Sequence, residues 1–115
     1  MSISPYELLQ HIKDEVTYLK NASKDLTFDN FVTNETLIRA FTRSLEIIGE
    51  ATKKIPDSFK SRYPDIPWRQ IAGMRDKLIH DYFGIDFNIV WDVIQNKLSE
   101  LDVYLERIFK DFKNH

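Results

Sequence analysis

Residues 75–82 read Arg75-Asp76-Lys77-Leu78-Ile79-His80-Asp81-Tyr82, and this stretch decides which fold and chemistry the sequence predicts. It lies between Pro67 and Gly84. Proline suits the first position of a helix, and glycine suits the position at which a helix ends. We therefore predict one helix of about four turns from Pro67 to Gly84. The apolar stripe of this helix contains Trp68, Ile71, Leu78 and Tyr82, and Arg75 falls where another apolar residue was due. A guanidinium there is unfavourable unless an anion meets it, so Arg75 is a candidate anion-binding residue.

The same segment carries a histidine with an acidic neighbour. Asp76 and His80 are four residues apart, so on a helix the carboxylate would reach the imidazole. His80 alone would more often be a hydrogen-bonded structural residue. The combination of Arg75, Asp76, His80 and Tyr82 within eight residues is what favours a functional site.

Three further helices are predicted from their caps and apolar spacing. Ser4-Pro5-Tyr6-Glu7 is a capping box that begins a helix ending near Lys20 or Lys24. Thr27 begins a long helix that stops at Pro56, with an irregularity around Thr33 and Asn34. Asp86 begins a last helix that continues almost to the end of the chain.

We find no stretch that alternates with period two for long enough to predict a strand. The expected fold is therefore all-α, an up-and-down bundle of four to five helices formed by one domain over residues 1–115. Trp91, Val93 and Tyr104 lie partly off the apolar stripe of the last helix. Such surplus apolar surface is a weak sign of a partner interface.

Composition excludes several classes of protein. The 115 residues contain no cysteine, which rules out disulfides and thiolate metal sites and suits a reducing compartment. We expect neither a signal peptide nor a membrane span, and hence a cytoplasmic protein. No phosphate-binding glycine loop or metal-binding spacing is present, and the three histidines do not cluster. No cofactor and no metal are expected.

The charges are unevenly distributed although the net charge is only −2. Residues 53–77 hold seven Lys or Arg against three Asp, whereas residues 81–115 hold four Lys or Arg against seven acids. The basic region overlaps the Arg75 segment and would suit a phosphate-bearing ligand. The alternative is a solvated, lysine-rich loop, which is the commoner meaning of such a run.

Another charged stripe lies on the long second helix, and it contains Arg39, Arg43, Glu46 and Glu50. These side chains share one helix face and would form an ion-paired surface. The alternative is that Arg39, Arg43 and Glu46 line a cleft opposite the Arg75 and His80 segment and support its chemistry.

Cleavage of RNA without a metal would use these residue types. A base must remove the proton of a ribose 2′-hydroxyl, and a cation must stabilise the pentacoordinate phosphate. His80 fits the first role and Arg75 the second. On a straight helix, however, residues five apart point about 140° away from each other. His80 would then meet Arg75 through the long arginine side chain, through a distortion of the helix, or through a second copy of the segment. In a two-fold dimer each copy would supply its own Arg and His to a shared cleft.

These residues also resemble a known family. Arg75-x4-His80-x-Tyr82 is similar to the signature of the HEPN superfamily. Two flanking stretches resemble its HepT-like branch: Ser44-Leu45-Glu46-Ile47-Ile48-Gly49-Glu50-Ala51 and Ile66-Pro67-Trp68-Arg69-Gln70-Ile71-Ala72-Gly73-Met74-Arg75. The resemblance covers nearly the whole chain.

The resemblance implies a metal-independent endoribonuclease toxin of a type VII-like toxin-antitoxin system. It implies a homodimer with Arg75 and His80 as catalytic residues, Asp76 at a position that favours a polar residue, and cellular RNA such as tRNA or mRNA as substrate. It also implies a minimal nucleotidyltransferase antitoxin as partner, which silences the toxin by AMPylation of Tyr82.

Two other functions stay open at the level of sequence. One is a non-catalytic module that binds a nucleotidyltransferase or presents substrates to it. The other is a phosphotransfer bundle carrying phosphate on His80, which the lack of a nearby lysine after His80 disfavours.

Overall fold

The computed structural model describes residues 3–74, 76, 79–81 and 84–114, with the backbone alone at residues 79–81, 84 and 85. The helices are α1 (Pro5–Ser23), α2 (Phe28–Val32), α3 (Glu35–Lys54), α4 (Asp57–Lys60), α5 (Trp68–Ala72), α6 (Phe87–Asp92) and α7 (Leu98–Lys113). A π-helical segment, Val93–Lys97, joins α6 to α7 in one helical run over residues 87–113. Two short strands, β1 (Ile79–Asp81) and β2 (Gly84–Ile85), form an antiparallel pair. The prediction of an all-α bundle is confirmed.

The helix starts follow the predicted capping residues. The Ser4 hydroxyl accepts a hydrogen bond from the Glu7 N–H at 3.2 Å, and α1 ends at Ser23, as expected. The Asp86 carboxylate accepts hydrogen bonds from the N–H groups of Asn88 at 3.0 Å and Ile89 at 3.2 Å. Because these side chains satisfy N–H groups that have no partner within the helix, they fix where each helix begins.

The long second helix is in fact two helices, which corrects the prediction. Thr27 caps α2, but α2 ends at Val32 and Asn34 caps a new helix by accepting from the Leu37 N–H at 3.1 Å. The Thr33 hydroxyl donates to the Asp29 carbonyl at 2.8 Å. These local side-chain bonds compete with the helical ladder, so the predicted irregularity is a complete break.

The predicted helix from Pro67 to Gly84 is wrong in its second half. The Gly73 N–H bonds back to the Arg69 carbonyl at 2.9 Å, and Gly73 is the C-cap of α5. Further on, Ile79 pairs with Ile85 and Asp81 with Gly84, so Gly84 lies in a strand rather than at a helix stop. Asp76 and His80 therefore do not share a helix face, and the 140° argument no longer applies. Ile79 and Ile85, which pair with each other, are both β-branched, and such residues favour strands over helices.

The core is formed mainly by α1, α3 and the helical run over residues 87–113. Its largest fully buried side chains include Leu9, Ile12, Leu19, Phe31, Phe41, Leu45, Ile48, Leu98 and Ile108. Phe31 stacks between Phe41 and Trp91, with ring centroids at 5.4 and 5.7 Å. The short helix α2 is thereby held against both α3 and α6.

The connection from α4 to α5 is fastened to α7. The Tyr63 hydroxyl donates to the Asp111 carboxylate at 3.0 Å. Arg107 donates two hydrogen bonds to Asp65, at 2.7 and 2.8 Å. Trp68 closes the turn by donating from its indole N–H to the Tyr63 carbonyl at 3.0 Å. These contacts define where α5 starts.

Gly49 sets how closely α5 can approach α3. A Cβ atom at position 49 would lie 3.0 Å from the Ala72 carbonyl oxygen, a backbone atom of α5. A larger side chain would therefore push α5 outward.

We expect Gly49→Val to lower the free energy of unfolding by about 1–3 kcal/mol, through overpacking against α5. Lys53→Val is the matched control, since Lys53 is exposed on the same helix. Helix propensity alone would favour valine over glycine, so a loss specific to position 49 measures the steric contact. Urea denaturation of both variants provides the test, and equal stabilities would contradict it.

A network of charges ties α1 to α7. Lys13 is hydrogen-bonded to Asp102 and to Glu106, the latter at 2.9 Å, and Lys20 bonds to Asp102 at 3.0 Å. Burial acts to raise the pKa of Asp102, but the hydrogen bonds from Lys13 and Lys20 outweigh it and hold that pKa below its usual value.

A depressed pKa in the folded state stabilises the protein above the unfolded pKa and stops doing so as the pH falls through the folded value. We therefore expect Asp102→Asn to lower the free energy of unfolding at pH 7 by up to about 1 kcal/mol. The difference from the wild type should begin to shrink below about pH 4, where the carboxylate of the unfolded chain becomes protonated, and should vanish as the pH falls through the lower pKa of the folded protein. Denaturation across this pH range tests the sign. Asp25→Asn, at an exposed residue outside the network, should show no such trend.

Candidate functional site

The helix α5 ends at Ala72, shortly before the predicted catalytic segment that begins at Arg75. Its Ile71 side chain and the following Met74 are buried, and Met74 directly precedes Arg75 in the sequence. At the other end of the segment, Asp86 caps α6 immediately after β2. The structure therefore positions the residue on each side of residues 75–85, the buried Met74 before them and the helix-capping Asp86 after them.

The four predicted motif residues, Arg75, Asp76, His80 and Tyr82, belong to this segment, whereas the supporting residues Arg39, Arg43 and Glu46 lie on α3. Arg75 and Tyr82 lie outside the described residues, so their predicted roles are not placed by the structure. The backbone of His80 lies in β1, between Ile79 and Asp81, where the pairing with β2 has a register irregularity. Asp76 is exposed, and its N–H donates to the Gly73 carbonyl at 3.0 Å.

The irregularity at His80 has a geometric meaning. Ile79 and Asp81 are two residues apart, whereas their partners Ile85 and Gly84 are adjacent. One residue of β1 is therefore extra, as in a β-bulge. Such bulges locally redirect the strand and occur often beside active sites.

The charged stripe on α3 forms ion pairs, as one of its two interpretations predicted. Arg43 lies 3.4 Å from the Glu46 carboxylate and 3.7 Å from that of Glu50. Arg39 instead pairs with Glu35, at 2.8 Å. Arg39, Arg43 and Glu50 are largely exposed, so these pairs contribute little to stability.

Glu46 differs from the rest of this stripe because its side chain is only 20% exposed. It lies three residues before Gly49, and therefore near the face of α3 that meets α5. Glu46 is therefore the one acid of the stripe that is mostly buried.

Sequence reasoning missed a cavity of about 180 Å³ between α5 and the helical run over residues 87–113. Its apolar lining comes from Ile71, Met74, Ile89, Val93 and Leu101, and its polar lining from Gln70, Asp92, Lys97, Glu100 and Tyr104. Val93 and Tyr104 were singled out in the sequence as surplus apolar surface. That surplus was the one available signal, and it pointed to a partner interface rather than a pocket.

The π-helical segment Val93–Lys97 forms part of this cavity wall. Residues four apart on an α-helix drift by about 40° around the axis. Ile89, Val93, Lys97 and Leu101 would therefore spread over about 120° on a regular helix. A π turn holds about one residue more than an α turn, which offsets part of that drift. The segment thereby keeps these residues on the side that faces α5.

The described part of the chain contains neither a helix that could span a membrane nor a group of side chains that could hold a metal ion. Among residues 3–74, 76, 79–81 and 84–114, no helix combines the length and apolar character needed to span a bilayer. Over the same ranges, no three His, Asp or Glu side chains are grouped so as to hold a metal ion.

The fold and the bounded Arg75–Tyr82 segment define an all-α protein with the HEPN signature. The chain matches the family model described as Ribonuclease HepT-like over residues 12–108. It therefore belongs to the HepT-like ribonuclease family, and the resemblance inferred from its sequence is confirmed.

Several relatives carry names that agree with this assignment. A protein of Caldanaerobacter subterraneus subsp. tengcongensis named Putative RNase is 44% identical over 110 residues, which cover 96% of this chain and 98% of the relative. A protein of Methanocaldococcus jannaschii with the same designation is 42% identical over 94% of this chain and 86% of the relative. The Probable ribonuclease HepT of Thermococcus cleftensis is 37% identical over 96% of this chain and its own full length. No solved structure matches the chain.

Proposed function

We propose that this protein is a metal-independent endoribonuclease toxin in which Arg75 and His80 carry out the reaction. The observation that carries the proposal is the HepT-like ribonuclease match over residues 12–108, which includes the whole Arg75-x4-His80-x-Tyr82 motif. The names of the relatives support RNA as the substrate.

The reaction requires only a base, an acid and a cation. His80 of one copy removes the proton of a ribose 2′-hydroxyl, and the resulting oxygen attacks the adjacent phosphorus. The bond from phosphorus to the 5′-oxygen breaks, and this oxygen receives a proton from the imidazolium of a second copy. Arg75 neutralises the charge that grows on the non-bridging oxygens. The products are a 2′,3′-cyclic phosphate and a 5′-hydroxyl.

A homodimer supplies the two imidazoles that this scheme needs. Each chain has one histidine in the motif, so one copy provides one of the two imidazoles and a second copy provides the other. A two-fold axis beside the segment would place two copies of Arg75 and His80 around one phosphate. The basic charge of residues 53–77 would favour the approach of the RNA backbone.

Regulation in this proposal acts through Tyr82. A minimal nucleotidyltransferase antitoxin transfers AMP to the tyrosine hydroxyl, and pyrophosphate leaves from the ATP. The added phosphodiester carries a negative charge two residues from His80, where it competes with RNA for Arg75. This mode of control requires no change in the fold.

We expect His80→Ala and Arg75→Ala each to reduce cleavage of RNA in EDTA by about 100-fold or more, since each removes an acid–base group or a charge-stabilising group. Incubation of purified protein with total RNA and analysis of the fragments measures this. His11→Ala is the matched control, because His11 is exposed on α1.

Circular dichroism and thermal unfolding verify that all of these variants remain folded. Arg75→Lys separates charge from shape, and we expect partial activity because lysine lacks the planar fork of arginine. Full activity of a folded double variant, Arg75→Ala with His80→Ala, would contradict the assignment.

Tyr82→Phe separates catalysis from regulation. The variant keeps the aromatic ring and loses only the hydroxyl, so we expect cleavage within a few-fold of the wild type and no incorporation of labelled AMP. In cells, co-expression of the antitoxin should rescue growth from the wild type and not from the variant. Silencing of Tyr82→Phe by the antitoxin would show that another group is modified.

A further inference from the structure

We propose that the cavity between α5 and the helical run over residues 87–113 binds one base of the RNA and selects bases that bear an exocyclic amino group. The inference rests on the proposed function, since it assigns a specificity pocket to the same ribonuclease. It concerns residues that take no part in the chemical step.

The position of the cavity connects it to the reaction. Met74 lines the cavity and is the residue before Arg75 in the chain. A base held against Met74 therefore belongs to a nucleotide close to the phosphate that Arg75 would bind. Single-stranded RNA is commonly recognised in this way, with an unstacked base placed in a protein pocket.

The shape and lining of the cavity suit a planar heterocycle. Its volume is about 180 Å³, enough for several water molecules and so for one base, but small for a whole nucleotide. Ile71, Met74 and Val93 offer apolar contacts for the faces of the ring, and Tyr104 offers an aromatic one. Apolar and aromatic contacts of this kind bind any of the four bases, because every base has a π-face.

The polar lining supplies the discrimination. Asp92 and Glu100 both line the cavity, and at neutral pH a carboxylate accepts hydrogen bonds and donates none. Adenine, cytosine and guanine present an amino group, whereas uracil has carbonyl oxygens at the corresponding positions.

Glu100 is the better placed of the two acids to read the base. One Asp92 oxygen already accepts a hydrogen bond from the Asn96 amide at 2.7 Å. Within the described ranges, neither Glu100 nor the neighbouring Lys97 takes part in an ion pair. The Gln70 amide, on the α5 side, adds a donor and an acceptor for the same edge.

The test determines cleavage sites in a randomised RNA by sequencing the fragment ends. For the wild type we expect one position near the cut at which amino-bearing bases exceed uracil by about fivefold or more, the ratio expected for one base-edge contact. Glu100→Gln places an amide donor beside the base and should reduce this ratio to below about twofold. Gln70→Ala should reduce it as well.

Gln95→Ala is the matched control for Gln70→Ala. Both glutamines are exposed, and Gln95 lies in the π-helical segment without lining the cavity. We expect Gln95→Ala to keep the base preference of the wild type. Thermal unfolding verifies that each variant is folded.

A second measurement separates failure of the pocket from failure of the proposed function. Short 2′-O-methyl RNAs that cannot be cleaved, each with one variable base, are titrated against the wild type and Glu100→Gln. Cleavage by the wild type without base preference, or with a preference that survives Glu100→Gln and Gln70→Ala, overturns the pocket and leaves the ribonuclease intact. Base-dependent binding without cleavage supports the pocket and overturns the catalytic assignment. Neither cleavage nor base-dependent binding overturns both.

Discussion

The close approach of α5 to α3 at Gly49 is the contact on which the site depends. Because residue 49 has no side chain, the Ala72 carbonyl oxygen can lie only 3.0 Å from the point that a Cβ atom of residue 49 would occupy. Ala72 ends α5, and Met74 follows as a buried anchor just before Arg75. The place at which the chain enters the Arg75–Tyr82 segment is therefore fixed by backbone contact between two helices, which is more rigid than contact through long side chains.

Around this contact the molecule divides into a rigid scaffold and a short segment that it holds at both ends. Two kinds of contact stabilise the scaffold. An apolar core unites α1, α3 and residues 87–113. Polar contacts add to it, since Lys13 with Asp102 joins α1 to α7 and Tyr63 with Asp111 joins the α4–α5 connection to α7. The eleven residues between Met74 and Asp86 are therefore joined at each end to a residue that this scaffold positions.

The cavity beside that segment exists because of an irregularity in a helix. The sequence over residues 87–113 has an apolar repeat that predicts a single helix, and the helical run is indeed continuous. Its π-helical segment keeps Val93, Lys97 and Leu101 turned toward α5, where they meet Ile71 and Met74. A regular helix of the same composition would turn part of this set away. A small local change in backbone geometry thus helps to determine which side chains line the cavity beside Met74.

The sequence by itself determined the all-α class, the caps at Ser4, Thr27 and Asp86, the buried stripes and the family motif, because caps and periodicity are local properties of the chain. It did not determine the break at Asn34, the β1–β2 pair or the end of α5 at Gly73. At those places two local structures have similar energies, and hydrogen bonds that periodicity does not reveal, such as those of Thr33 and Asn34 and the pairing of β1 with β2, choose between them. Only the tertiary structure revealed the cavity, because its walls come from helices that are well separated in the sequence and are brought together by the core.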